Sequence, residues 1–173
     1  MTDLVLAVGP RDHIRGMQSA KVTVVEYADV ECPYCRRLEP VLREALAQRS
    51  DVRLVYRHFP LVQVHPHAYS SALALEAAGE RGRFWELHDL LLDPDSRLGR
   101  RAMTEYAGQL GLEPASLLRP RAEQCDAKVR EDFDSGLASG VQGTPGLFID
   151  GLLLRRTPTL QQLLDAFDRS AAA

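Results

Sequence analysis

Lys21-Val22-Thr23-Val24-Val25-Glu26-Tyr27-Ala28-Asp29-Val30-Glu31-Cys32-Pro33-Tyr34-Cys35 is the stretch on which the fold turns. Its first residues are rich in β-branched side chains and too few for a good helix, so Lys21 to Ala28 reads as a strand. Asp29 and Pro33 announce a new start. Proline suits the first turn of a helix, because the N–H it lacks would be unpaired there. Beyond it Leu38, Val41, Leu42, Ala45 and Leu46 recur at helical spacing, which predicts a helix to about Gln48. Two cysteines spaced i and i+3 therefore stand at the mouth of a helix, with both β-carbons on one face and within reach of an intramolecular disulfide.

Working outward, Asp51 to Phe59 carries Val52, Leu54 and Tyr56 in alternating phase and closes at Pro60. Strand, helix and strand in that order imply a parallel pair with a right-handed crossover. From His67 to about Gly140 the signals are helical: Ala68, Ala72, Leu75 and Gly79; Phe84, Leu87, His88 and Leu91; then a segment ending at Gly111. A longer last helix follows, with Ala122, Cys125, Val129, Phe133 and Leu137 as its apolar stripe. After Pro145, Leu147 to Ile149 and Leu152 to Leu154 flank Asp150-Gly151, a strong hairpin signal. Leu160, Leu163, Leu164 and Phe167 then give a closing helix behind Thr157-Pro158. The expected architecture is one α/β domain over residues 1–173. Its βαβ and ββα halves lie at 21–61 and 141–169, and an all-helical insertion with its connecting helix fills 67–140.

Composition narrows the function. The chain has 173 residues, 45% of them hydrophobic, which suits a single domain with a real core and excludes a disordered or fibrous chain. Its 21 basic and 24 acidic residues are scattered without blocks and leave a net charge of −3, which argues against nucleic acid or an anionic membrane as partner. Three cysteines are too few for a disulfide-stapled scaffold, so cysteine here is chemical. The start, Met1-Thr2-Asp3, is not basic, and the apolar run Leu4 to Val8 stops at Gly9-Pro10. A signal peptide needs a basic start and roughly 7 to 15 apolar residues, and a membrane span about 20. The expectation is a soluble cytoplasmic protein, with a mature periplasmic form as the alternative.

At the helix mouth, unpaired backbone N–H groups and the positive end of the macrodipole favour a thiolate on Cys32. Cys35, one turn deeper, should resolve the mixed disulfide. Glu31 works against the thiolate, while Arg36 and Arg37 work for it. Neutral Tyr34 between the cysteines predicts a moderate oxidant. A zinc reading of C-x-x-C needs two further ligands at matching spacing, and neither a second C-x-x-C nor an H-x3-H exists in the sequence. No metal or organic cofactor is needed. Gly143-Thr144-Pro145 stands directly before the Leu147 strand, with Thr144 biased to an extended backbone by the proline after it.

Together these residues resemble the DsbA-like branch of the thioredoxin superfamily. The resemblance is carried by Val24-Val25-Glu26-Tyr27 with Glu31-Cys32-Pro33-Tyr34-Cys35, and by Arg57-His58-Phe59-Pro60-Leu61 and His65-Pro66-His67-Ala68. It continues through Phe84-Trp85 and Val141-Gln142-Gly143-Thr144-Pro145. It implies a thioredoxin fold with a helical insertion, and a protein thiol-disulfide oxidoreductase. Its partners would be client proteins or small thiols bearing dithiols or disulfides, together with a redox partner. It further implies that Pro33, Tyr34, Thr144 and a cis Pro145 meet the substrate, with the Thr144 backbone pairing to a bound chain.

Glu26 matches the family's acidic residue beneath the cysteines. Independently, it is in phase with Val22 and Val24, so its carboxyl should face an apolar layer and suit proton exchange with Cys35; a solvated carboxylate at a strand end is the alternative. A redox-sensing or client-binding protein without efficient turnover is the rival function. Cys125, on an apolar stripe, reads better as a small buried hydrophobe than as a third redox thiol. His65 and His67 lack partners at metal spacing and read as structural, and His58 and His88 as packed or hydrogen-bonded.

Overall fold

The computed structural model describes residues 3–118 and 122–172, the side chains of 122–124 excepted, so Met1, Thr2 and the side chain of Ala122 on the expected last-helix stripe lie outside the described residues. The decisive stretch forms β2 (Val22–Ala28) leading into α1 (Pro33–Gln48), and β3 (Val52–His58) returns parallel to β2, with Val22 opposite Val52 and Ala28 opposite His58. The hairpin β4 (Gly146–Ile149) and β5 (Leu152–Leu154) joins the other side of β2, antiparallel, with Val24 opposite Ile149. Asp150 and Gly151 both take positive φ, 44° and 83°, the turn their sequence announces. The closing helix α7 (Leu160–Ala171) starts on a capping box between Thr159 and Gln162.

The sheet has one strand the sequence reading lacks. His13–Arg15 forms β1, antiparallel to β3, and completes the order β1-β3-β2-β4-β5. Three residues with one apolar side chain carry no periodic signal. What holds β1 is tertiary: His13 Nε2 lies 2.8 Å from Glu76 Oε1 and its ring stacks on Phe84, while Arg15 reaches Asp89 at 2.7 Å.

Simple alternation also fails in β3, where Leu54 through His58 are buried without a break. Both faces of the sheet are covered. Val22, Val24 and Leu54 pack with Leu38 and Leu42 of α1 and Leu163 and Phe167 of α7, while Val25, Tyr27, Val55 and Phe148 form a second layer. The insertion resolves into α2 (Ala68–Gly79), α3 (Phe84–Leu92), α4 (Arg100–Gln109), α5 (Pro114–Leu118) and the long connecting helix α6 (Ala122–Ala138).

In α6 the expected stripe is wrong at its end. Leu137 is 53% exposed, and the buried face instead runs from Cys125 through Val129, Asp132 and Ser135 to Ser139. Repeated four-residue steps drift around a helix of 3.6 residues per turn, so the face moves off Leu137. The polar residues on it are partnered: Asp132 takes the His58 N–H at 3.1 Å and pairs with Lys128, and Ser135 Oγ lies 2.8 Å from the Tyr27 hydroxyl. Next to them the fully buried Arg57 forks onto Asp12, both bonds at 2.9 Å, and gives a further bond to the Tyr27 hydroxyl.

Gly136 permits this close seat, because a β-carbon there would stand 2.7 Å from the Phe59 ring and 2.9 Å from Tyr27. Replacing Gly136 by Ala should therefore destabilise the fold by about 1–3 kcal/mol through overpacking. Gly108→Ala, on α4 with nothing within 4 Å of the added carbon, should instead be neutral or stabilising by up to ~1 kcal/mol. Paired urea denaturation curves check both signs.

Candidate active site

Cys32 is the N-cap of α1, with φ −69° and ψ 121°, and Pro33 takes the first helical position. Its backbone N–H donates to the Asp29 carbonyl at 3.0 Å, closing the turn out of β2. Asp29 is buried, and its carboxylate organises the surroundings. It accepts the Glu31 N–H at 2.8 Å and the Leu61 N–H at 2.9 Å, and lies 2.8 Å from His65 Nδ1. Glu31 in turn accepts the His67 N–H at 2.6 Å. The segment 61–67 is thus tied to the helix mouth, and His65 and His67 serve that tie, as structural residues would.

The second segment arrives from the loop before β4. The Thr144–Pro145 bond is cis, and Cys32 Sγ lies 3.4 Å from the Thr144 carbonyl oxygen. Tyr34 stands 60% exposed beside this junction with the Arg37 guanidinium over its ring at 4.5 Å. The structure therefore brings Cys32, Pro33, Tyr34, Cys35, Thr144 and Pro145 together, and sets Glu26 of β2 beneath them.

The two thiols differ sharply in environment. Cys32 is lowered to about 5, first by the hydrogen bond from the Cys35 thiol, against partial burial, and then by Thr144 and the backbone N–H groups of Cys35 and Tyr34. The Thr144 hydroxyl has no other partner and is free to support the thiolate. Cys35 is fully buried and moves the other way, pushed well above its ordinary value by burial, by the hydrogen bond it gives Cys32 and by the nearby Glu26 charge.

Glu26 is 1% exposed, so the reading of a carboxyl facing an apolar layer holds and the solvated alternative does not. Burial first, then the charges of Glu39 and Cys32, raise its carboxyl well above the usual carboxylate range. Its Oε2 has no hydrogen-bond partner.

The flanking charged side chains are each engaged locally. Arg36 donates to the Val30 and Ser96 carbonyls at 2.8 and 3.1 Å, Arg37 covers Tyr34, and Glu31 is engaged by His67. The hydrogen bonds from Cys35, Thr144 and the backbone N–H groups of the helix mouth lead the causes that favour the Cys32 thiolate.

A residue the sequence reading missed is Glu39, 2% exposed on α1. It follows Cys35 by four residues and so shares its helix face, a signal masked by reading the stripe from apolar residues alone. Glu39, His88 and Asp89 offer ligand atoms within 4.8 Å of one another. Two guanidinium groups already hold that cluster, Arg15 at 2.7 Å from Asp89 and Arg43 at 3.3 Å from Glu39, which makes it an ion-pair network poorly suited to a metal cation. Cys125 is 2% exposed with its thiol raised to about 11 by burial and by Glu80, which suits a packed side chain.

A family model described as thioredoxin matches residues 9–169. The chain belongs to the thioredoxin family. Its relatives among solved structures are of the DsbA-like kind. A thioredoxin-like oxidoreductase from Silicibacter pomeroyi DSS-3 superposes with a TM-score of 0.86 at 28% identity, covering 95% of each chain. Pseudomonas aeruginosa DsbA2 superposes at 0.75 with 27% identity, covering 94% of this chain and 96% of that one. A different setting appears in sequence: over 151 residues the chain is 46% identical to Na(+)/H(+) antiporter NhaA 3 of Salinispora tropica, a match taking in 86% of this chain and 23% of that protein. The chain thus spans about a quarter of the length of the curated relatives it matches. No described helix is long and apolar enough to cross a membrane.

Titrating the reduced thioredoxin-family domain by thiolate absorbance should give a first midpoint near 5 for Cys32. Cys35→Ala should raise that midpoint by about 1–2 pH units, since a hydrogen bond to a charged group contributes roughly 1.5–3 kcal/mol. Because the folded value lies below the unfolded one, near 9, the thiolate's contribution to the reduced form is full above pH 9 and lost as pH falls through 5. Denaturation of reduced and oxidised protein across that range should show the reduced form losing stability relative to the oxidised form as pH falls.

Proposed function

We propose that this domain exchanges disulfides with protein clients or small thiols through Cys32 and Cys35, with Cys32 as nucleophile and Cys35 as resolving thiol. The reading is carried by the opposite shifts of the two thiols, one turn apart at a helix mouth beside the Thr144–Pro145 loop. In the reductive direction the Cys32 thiolate attacks a client disulfide, forming a mixed disulfide and releasing one client thiolate. Cys35 then gives its proton to Glu26 and attacks the Cys32 sulfur; the Cys32–Cys35 bond forms, the bond to the client breaks, and the second client thiolate leaves with the electron pair. The oxidative direction runs the same steps backwards, with Glu26 returning the proton to the departing Cys35.

Pro33 and Tyr34 form the exposed rim against which a client would lie, and the Thr144 backbone with Pro145 aligns its chain. A thiolate favoured down to about pH 5 stabilises the reduced state and makes the disulfide oxidising. The expected reduction potential against glutathione lies between the roughly −270 mV of thioredoxin and the roughly −120 mV of DsbA. A value at or below the thioredoxin end would make the domain a reductant and overturn the direction.

Cys35→Ser should trap a covalent client complex visible as a larger band on a nonreducing gel, while Cys32→Ser should lose turnover of insulin or of a dithiol substrate. Retained activity in Cys32→Ser would remove the nucleophile assignment.

The antiporter relatives favour a second reading, in which the disulfide reports redox state to an attached or neighbouring Na(+)/H(+) antiporter. Rapid turnover with a small-molecule thiol pair supports the enzyme, and slow cycling supports the sensor.

A further inference from the structure

Cys35 and Glu26 exchange a proton in every cycle of the proposed reaction, yet they are 0% and 1% exposed. A buried acid-base group must be reset from solvent before the next turnover. Among the described residues, the buried side-chain polar atoms lacking a partner include Glu26 Oε2, Glu39 Oε2 and His88 Nε2. They come from three elements, β2, α1 and α3. Orphaned buried polar atoms are costly, and two of the residues that carry them, Glu39 and His88, share one cluster, which calls for a use.

The electrostatic and spatial links run in sequence. Glu39 is the carboxylate whose charge acts most strongly on Glu26. Glu39, His88 and Asp89 present ligand atoms within 4.8 Å of one another, a gap that one water or a small side-chain rotation closes. His88 Nδ1 lies 2.9 Å from Asp89 Oδ1, and an Nδ1–H donated there leaves Nε2 as a bare acceptor. The imidazole is fully buried, walled by Tyr56 and Trp85 with ring centroids at 4.9 Å, whereas the Asp89 side chain is 40% exposed. The charged groups facing this cluster are Arg15 from β1, on Asp89, and Arg43 from α1, on Glu39; Tyr56 of β3 completes the titratable set.

We propose that His88 and Asp89, acting through Glu39, form the exit by which the proton shared by Cys35 and Glu26 reaches solvent at the exposed Asp89 side chain. His88 is a positioning residue, since it acts only through the carboxyls above it. The proposal rests on Glu26 as the proton partner of Cys35.

The experiment follows multiple-turnover disulfide exchange with a small dithiol–disulfide pair at saturating substrate between pH 6 and 9, for wild type, Glu26→Gln, His88→Ala, His88→Gln and Asp89→Asn. General acid-base groups contribute about 10²–10⁴-fold, so Glu26→Gln should be slowest, and interrupting its exit should cost at least ~10-fold near pH 6–7. The His88→Ala loss should be restored by added imidazole, which fits the space left, while Glu26→Gln should not respond. The reduction potential should stay unchanged in His88→Gln.

Wild-type rates in both His88 variants alongside a slow Glu26→Gln would overturn the exit and leave the Glu26 reading intact. A wild-type rate in Glu26→Gln would overturn that reading and the exit with it. A His88 loss equal at every pH and insensitive to imidazole would mark a packing defect and also sink the exit. Should His88→Ala fold poorly, His88→Gln and the surface variant Asp89→Asn carry the test.

Discussion

The parallel pairing of β2 with β3 is the constraint on which the rest depends. Parallel neighbours cannot be joined by a tight turn, so the chain must cross the sheet in a helix, and α1 is that helix. The crossing places the N-terminus of α1 at the carboxyl end of β2, where Asp29 can close the turn and the free N–H groups of the first helical turn face one sulfur. The antiparallel hairpin then adds to the other side of β2. With Tyr27 paired to Gly146, the Thr144–Pro145 loop falls beside Cys32. Three segments far apart in sequence meet because each is bonded to β2 or emerges from it.

Around this junction the molecule treats buried polarity in two opposed ways. On the α6 side, the buried Arg57, Tyr27, Lys128, Asp132 and Ser135 and the half-buried Asp12 are all partnered, which fastens the N-terminal segment and α6 to β3. Such a network costs desolvation and in return fixes one arrangement, since removing one partner leaves a charge stranded. Beneath the cysteines, Glu26, Glu39 and His88 each keep an atom without a partner. Incomplete satisfaction is unfavourable for stability but suits groups that must change protonation, because a fully bonded carboxylate resists taking up a proton.

Much of this was legible. The strand-helix junction, the Asp150-Gly151 hairpin, the parallel pair and the helical block each rest on local signals, namely residue shape, turn chemistry and spacing. Glu26 was legible too, since strand alternation put it in phase with Val22 and Val24. What escaped were features held by distant partners. β1 exists through Glu76, Phe84, Asp89 and β3, the exposed Leu137 reflects the drift of α6 against the sheet, and Glu39 was hidden because a carboxylate on an apolar helix face is decided by what lies opposite.

The sequence by itself determined the elements, their order, the two thiols one turn apart and the residue types able to act on them, because those follow from short-range sterics and hydrogen-bonding capacity. Only the tertiary structure decided that Cys32 and Cys35 shift in opposite directions, that Arg36 and Glu31 bond the backbone of neighbouring segments while Arg37 covers Tyr34, and that a buried imidazole clusters with Glu39 and Asp89. Those outcomes depend on burial and on groups more than a hundred residues apart, such as Cys32 and Thr144, and burial is a property of the assembled fold.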